Sequence, residues 1–271
     1  MSTLQKAVIV DGVRTPFLDS GGAYSGLMTY ELGGKAIAGL VHKTGIKPKH
    51  IDLVTMGTVV HEIETSNVAR ESMLSAGLPA TIPAYTTSMA GLSASIGFAN
   101  LCDMIALGRI DAGIAAGVES FSDVPIRYSQ KIRRAAMKLR YDPSAGNVLK
   151  NLRTLRPADL KPDMPTGTDF TTGKTMGVCA EQMVQKFQVS RQACDEFTER
   201  SHRLAIEALK QGHFDNTILP VEVPGLAQPV TRDNTPRADS KLERLAGMKP
   251  VFRKDGIITA AGSSRFTDGS A

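Results

Sequence analysis

An α/β fold on a mainly parallel sheet, with helices on both faces and an inserted, mainly helical segment, is the class this sequence predicts. Three observations point there. Short β-branched runs alternate with helix-period segments through the first 121 residues. The alternation breaks at residue 122 and stays broken to about 175, where Pro143, Pro157, Pro162 and Pro165 stand among Gly, Thr and Asp. The chain has 271 residues, 42% hydrophobic and 22% charged, enough to bury a core without disulfides or metals. That composition excludes a disordered chain, a collagen-like chain and a disulfide scaffold.

Each element follows from local chemistry. Residues 7–10 (Ala-Val-Ile-Val) form a β-branched run ended by Asp11-Gly12. Residues 30–44 space Leu32, Ile37, Leu40 and Val41 at helical period and close at Gly45. Residues 52–60 are strand-like, and Asn67 is placed to cap a helix running through Val68, Met73 and Leu74 to Gly77. Residues 84–88 are short and extended. A long apolar helix over about 92–107 closes at Gly108, and a buried strand over 114–118 contains Gly117. After the excursion come a helix at 176–187 and a longer one from Ser190 to about Gln211. Residues 218–223 are strand-like, Ser240-Lys241-Leu242-Glu243 matches a capping box, and 257–260 return to a β-branched run. The last four residues, Asp268-Gly269-Ser270-Ala271, have turn-like composition.

Cys102, Cys179 and Cys194 are widely spaced and lack any CxxC pattern, which argues for a reducing compartment and against a structural zinc site. The start, MSTLQKAVIV, carries neither a basic leader nor a cleavage site, and no segment reaches about 18 apolar residues. The expected location is the cytoplasm.

The chemical inventory excludes several mechanisms. Phosphate-loop patterns and HExxH are absent. His61-Glu62 reads as an ordinary loop pair, and His202, within a polar helical stretch, as a solvated residue. The three cysteines read as small core hydrophobes, although Cys179 and Cys194 fall near the first turns of their helices, where a thiolate is somewhat favoured. The most informative position is the strand-to-helix junction over 84–95. It aims backbone N–H groups and the positive helix end at one point, where a nucleophile's anion would be stabilised. Its central residue, Gly91, has no side chain; without further context it reads as a helix-start glycine chosen for close packing.

The sequence resembles the thiolases, the 3-ketoacyl-CoA thiolases of fatty-acid β-oxidation, and among them the β subunits of trifunctional β-oxidation complexes. The resemblance rests on Val10-Asp11-Gly12-Val13-Arg14-Thr15-Pro16-Phe17, Gly57-Thr58-Val59, Ser66-Asn67-Val68-Ala69-Arg70-Glu71 and Pro83-Ala84. It continues in Ala115-Ala116-Gly117-Val118-Glu119-Ser120, Ser122-Asp123-Val124-Pro125-Ile126-Arg127, Thr175-Met176-Gly177 with Ala180-Glu181, Asp195-Glu196-Phe197, Arg200-Ser201-His202 and Thr259-Ala260-Ala261. It implies a fold of two similar βαβαβαββ halves packed as five α/β layers, with a loop domain inserted in the first half. On that pattern, residues 1–121 open the first half, 122–250 hold the loop domain, and 251–271 bring its last strand. The second half is absent.

By resemblance the reaction is acyl transfer between 3-ketoacyl-CoA and CoA, with CoA or acyl-CoA as substrate and no covalently held cofactor. Gly91 occupies the position of the family's nucleophilic Cys, and the expected consequence is an inactive or impaired, pseudoenzyme-like chain. The family's activating His and its second Cys belong to the missing half. Gly262 stands where the family usually has Asn. Ser264 matches its Ser beside the pantetheine arm, and Met176 and Gly177 match a segment lining the acyl pocket. Ser88 and Ser93 lie near Gly91 but lack a base nearby in sequence, and Cys102 is about 16 Å down the helix. Two other readings stay open: a non-catalytic partner or scaffold subunit, homo- or hetero-oligomeric, and a truncated reading of an active thiolase.

Charge is concentrated in one segment. The chain carries +5, while residues 127–161 carry +8, leaving −3 elsewhere. That weakens a nucleic-acid reading, as does the lack of interleaved aromatics. Taken as a helix, 124–140 places Ile126, Ile132, Ala136 and Leu139 in a ragged stripe beside Arg127, Lys131, Arg133, Arg134 and Lys138. A solvated face, contact with the phosphates of CoA and contact with an anionic membrane surface are the three readings of this segment.

Overall fold

The sheet is built around β2 (Leu53–Gly57), in which every residue is buried. In the computed structural model, residues 4–163 and 167–271 are described; Pro165 and the first three residues lie outside them. β2 pairs in parallel with β3 (Ala84–Thr87) on one side and with β4 (Gly113–Glu119) on the other. β5 (Thr267–Ser270) then pairs antiparallel with β4 and with the short β1 (Leu18–Asp19), so the order is β1-β5-β4-β2-β3. The sheet is thus mixed, with a parallel centre.

Alternation along β4 sorts the two faces. Ile114, Ala116 and Val118 join the core with Leu32 and Ile37 of α1 (Thr29–Thr44) and Val68 and Met73 of α2 (Val68–Ser75). The opposite face receives α3 (Ser93–Ala106) at very close range. A Cβ on Gly57 would stand 2.2 Å from the backbone nitrogen of Ala94, and one on Gly117 would stand 2.9 Å from the Ala94 Cβ. These two glycines set the approach of helix to sheet. The helix ends follow local chemistry. Asn67 Oδ1 accepts from Arg70 N, and Gly45 and Gly108 terminate α1 and α3 with φ of 65° and 66°.

The chain folds as two compact units. The larger runs to Asp123 and resumes at Gly177; it also holds α7 (Arg191–Lys210), α8 (Leu242–Ala246) and all but the first residue of α6 (Met176–Lys186). The smaller, Val124–Met176, contains α4 (Gln130–Tyr141) and α5 (Ala145–Thr154). Within it Ser129 caps α4, Lys131 pairs with Asp159 at 2.7 Å, and the backbones of Arg127 and Asp163 bridge antiparallel. Pro143 lies in the connection before α5, and Pro157 opens the short 3-10 helix Pro157–Leu160 at its first position, where no N–H is needed.

Five local expectations are corrected. Residues 7–10 are not a strand: among the described residues no strand pairs with them, and Val8, Ile9 and Val10 are 71%, 76% and 86% exposed. Residues 218–223 form only single bridges, at Ile218 and Val221, because Pro220 has no N–H to continue a ladder. Residues 257–260 form no strand either, since the amides of Ile257 and Ile258 donate to the buried Glu181 carboxylate. The capping box does not form; Ser240 is held in the preceding turn by donating its N–H to Arg237 O, and α8 starts after Lys241. The turn-like final residues are instead β5, because pairing on both sides overrides weak local propensity.

Candidate active site and the family of the chain

β3 passes into α3 through a junction tied by hydroxyls. Thr87 Oγ1 donates to Ser93 O at 2.7 Å, Met89 N donates to Ser93 Oγ at 2.8 Å, and Ser93 Oγ donates to Ala90 O at 2.7 Å. The turn these bonds enforce puts Ala90 at φ 45°, a left-handed conformation that costs a non-glycine residue about 1–3 kcal/mol. Gly91 follows and lines a cleft of about 320 Å³. Phe17, Thr58, Glu119, Ser270 and Ala271 also line this cleft. Apart from Gly91 and its chain neighbours, no heavy atom of the described residues lies within 4 Å of where a Gly91 Cβ would stand. The close-packing explanation of Gly91 is therefore overturned: the position has room for a side chain and its backbone does not demand glycine.

Nothing beside Gly91 replaces a nucleophile. Ser93 is buried with its hydroxyl committed on both sides, and Ser88 is exposed and does not line the cleft. Cys102 does not line it either, and Cys179 is exposed. Burial pushes the Cys194 thiol pKa up, with the Asp195 charge adding to it, which is opposite to an activated thiolate. The Glu119 carboxylate accepts from Thr58 Oγ1 and from the amides of Val59 and Val60, at 2.9–3.1 Å. It fixes the cleft wall rather than standing free as a base. Arg14 is structural as well: it pairs with Asp233 through two 2.7 Å bonds and lies over the Phe17 ring.

A second cleft, about 300 Å³, is lined by His202, Arg237, Ser263, Ser264 and Arg265. His202 is a partly buried wall residue and not a solvated one. Its Nδ1 accepts the Arg237 backbone N–H at 3.2 Å, which leaves the proton of the neutral ring on Nε2. Nε2 stands 3.4 Å from Arg237 Nη2, so two donor groups face each other. Arg237 Nε is buried without a partner. Arg237 Nη2 also donates to the Ala261 carbonyl at 3.2 Å, so the donors left without an acceptor are His202 Nε2 and the buried Arg237 Nε, an arrangement that suits an acceptor group. The spacing of Asp195, Thr198, His202 and Ala205 on α7 is the signal that could have revealed this inward face.

Ser264 lines this second cleft and is exposed. Met176 is 83% exposed, and Gly177 abuts the Phe252 ring; neither lines either cleft. Within the smaller unit Arg127, Lys131, Arg133, Arg134 and Lys138 are all exposed. Ile132, Ala135 and Leu139 form the covered side of α4, while Ala136 and Ile126, expected in the apolar stripe, are exposed. Among the described residues no helix is long and apolar enough to cross a membrane.

The family model "Thiolase, N-terminal domain" matches residues 7–271. The mitochondrial trifunctional enzyme subunit beta of Homo sapiens is 42% identical over 269 residues, covering 99% of this chain and 56% of that protein. A 3-ketoacyl-CoA thiolase of Pectobacterium carotovorum is 36% identical over 267 residues, covering 98% of this chain and 61% of that one. The solved acetyl-CoA acetyltransferase of Bacillus anthracis superposes with a TM-score of 0.84 at 29% identity, covering all of this chain and 65% of that one. The chain spans somewhat over half the length of the curated relatives it matches. The cleft at the strand-to-helix junction is therefore carried on a known scaffold, and the chain belongs to the thiolase family.

Proposed function

We propose that this chain is a thiolase-type protein that binds CoA or acyl-CoA but does not form an acyl-enzyme by itself. One observation carries the reading: the junction, its strained Ala90 and its open cleft are all present, while Gly91 offers no atom to attack a thioester. The reaction at issue is thiolysis of 3-ketoacyl-CoA by CoA, giving acetyl-CoA and a shortened acyl-CoA. Loss of a covalent nucleophile costs several orders of magnitude in rate. CoA enters as substrate, with no prosthetic group. The donors of His202 and Arg237, beside Ser264, support a CoA-binding cleft. Met176 and Gly177 as acyl-pocket residues, and a reducing, cytoplasmic setting, belong to the same reading.

Intact mass after incubation with acetoacetyl-CoA tests it. The wild-type chain is expected to show no adduct, and a stoichiometric acyl adduct at native pH would overturn the proposal. Gly91→Cys places a thiol where space is open and the helix end favours the thiolate. That variant is expected to be alkylated by iodoacetamide at position 91 faster than at any native cysteine.

A second reading, a non-catalytic partner subunit, is favoured by the apolar exposure of Leu92, Phe98 and Leu107 along and beside α3. Light scattering with and without a full-length thiolase separates the two: a mixed species of defined mass supports the partner role. The outward side of α4 also carries Arg133, Arg134, Lys138 and Arg140 with Met137 and Tyr141, which supports membrane-surface contact. Co-sedimentation with anionic but not neutral liposomes, lost on replacing Arg133, Arg134 and Lys138, is the expected result; equal binding to both lipids eliminates it.

A further inference from the structure

We propose that the second cleft is a proton-linked anion site. His202 takes up a proton from solvent when a phosphodiester or sulfate group settles between its ring and Arg237, so the cleft holds such anions more tightly as pH falls. This builds on the reading of the cleft as the CoA site and adds the residue that makes its occupancy depend on pH.

The charged groups lining the cleft are of one sign. The helix that carries His202, α7, brings Ser201 and Ala205 to it, neither of them charged. Segment 235–237 brings Arg237, whose Nη2 stands 3.4 Å from His202 Nε2 and donates to the Ala261 carbonyl, a neutral acceptor. Segment 263–267 brings Arg265, which pairs outside the lining with Asp19 at 2.7 Å. Phe17 adds only an apolar ring. Among the described residues no carboxylate lines the cleft. The Arg237 charge is therefore uncompensated there, and its buried Nε has no acceptor. A small anion fits within about 300 Å³ and supplies both the missing charge and the missing acceptor.

The same surroundings hold the His202 ring neutral while the cleft is free of anion. The ring is partly buried, the Arg237 charge opposes a second positive charge, and Nδ1 is engaged as acceptor of the Arg237 N–H at 3.2 Å. An anion reverses the second of these. A positive ring then faces an opposite charge, and the bond from Nε2–H becomes charge-assisted, roughly twice as strong as its neutral counterpart. The incoming proton goes to Nδ1, which gives up the Arg237 N–H. That bond joins two neutral groups and lies at the long end of the ordinary range, so the exchange favours the proton. Linkage is reciprocal: an anion that favours the proton is favoured by the proton to the same factor. With an ordinary His pKa of about 6.5, the change in charge falls in the range just below neutrality.

Titration of the whole chain with dephospho-CoA tests this, because its pyrophosphate keeps a fixed charge between pH 6 and pH 8. Calorimetry at pH 6 in two buffers of unlike ionisation heat is expected to show net proton uptake on binding. The affinity at pH 6 is expected to exceed that at pH 8 by about threefold or more. The His202 ring signals, followed by NMR, are expected to titrate at higher pH with the ligand than without it. Millimolar sulfate is expected to give the same proton uptake, since the anion and not the nucleoside drives it. His202→Gln keeps an uncharged donor in the cleft and is expected to bind equally at both pH values with no proton uptake. Should that variant fail to fold, the ring titration of the wild type decides. Binding without proton uptake, or a pH dependence that survives in His202→Gln, overturns the proton linkage and leaves the CoA reading standing. No binding of dephospho-CoA or sulfate at either pH overturns both.

Discussion

Ala90 and Gly91 divide the chemistry of the junction between strain and opportunity. Ala90 sits at φ 45°, held by the Ser93 hydroxyl, and such strain persists only where the surroundings over-determine it. Gly91, beside it, is unconstrained by packing, which is why a single substitution can be informative there. His202 carries a different kind of constraint. Burial lowers its pKa from the ordinary value, and the Arg237 charge lowers it further. The ring therefore stays neutral in the folded chain where the unfolded chain takes up a proton. The unfolded state binds more protons below the ordinary His pKa of about 6.5, so stability is lost as pH falls through that value toward the folded one. We expect the urea midpoint of the wild type to fall more steeply between pH 7 and pH 5 than that of His202→Gln. Parallel lines for the two proteins would refute the assignment, since the carboxylates that also titrate are common to both.

At the scale of elements, α3 has two faces of very different worth. Ser93, Gly97 and Leu101 are buried against the sheet, while Leu92 at the helix cap, Phe98 and Leu107 beyond its last turn are 57%, 43% and 58% exposed. Leu101 closes against Gly113 in β4, so Leu101→Ala is expected to cost about 2–5 kcal/mol, the range for an emptied core leucine. Phe98→Ser should change stability by less than about 0.5 kcal/mol while reducing self-association. Chemical denaturation of both variants checks the contrast, and similar losses for the two would contradict it. Much of this was legible in advance. The helical spacing that ends at Gly45 and Gly108, the Asn67 cap and the Ser190 cap of α7 are local signals, and each stands within a residue or two of its expected place. What was not legible depends on partners distant in sequence. The 7–10 run has strand chemistry but no neighbour, β5 has turn chemistry but two neighbours, and Glu181 takes the amides that 257–260 would have offered a ladder. The site shows the same division. The junction at 84–95 could be read from its small residues, whereas the convergence of His202 and Arg237, 35 residues apart, could not.

At the scale of the whole molecule, burial is unevenly distributed. One face of the sheet is closed by α1 and α2 over a core that includes Leu32, Ile37, Val54, Met56, Met73 and Val118. The other face ends in α3, whose outer side is apolar and wet, and the 7–10 run adds three more exposed β-branched residues to the same unit. Each large apolar side chain left in water forfeits about 1.5–3 kcal/mol relative to burial. Domain stabilities are about 5–15 kcal/mol, so several such residues are a large fraction of what holds a fold together. Burying Leu92, Phe98 and Leu107 against a second molecule recovers part of that loss, and recovery by association depends on concentration. We therefore expect the melting temperature to rise by several degrees over a hundredfold increase in protein concentration, with the dilute monomer melting at the low end of the mesophile range. Scattering-verified monomer that unfolds cooperatively above about 60 °C, independent of concentration, would show that the exposed α3 face carries no such cost.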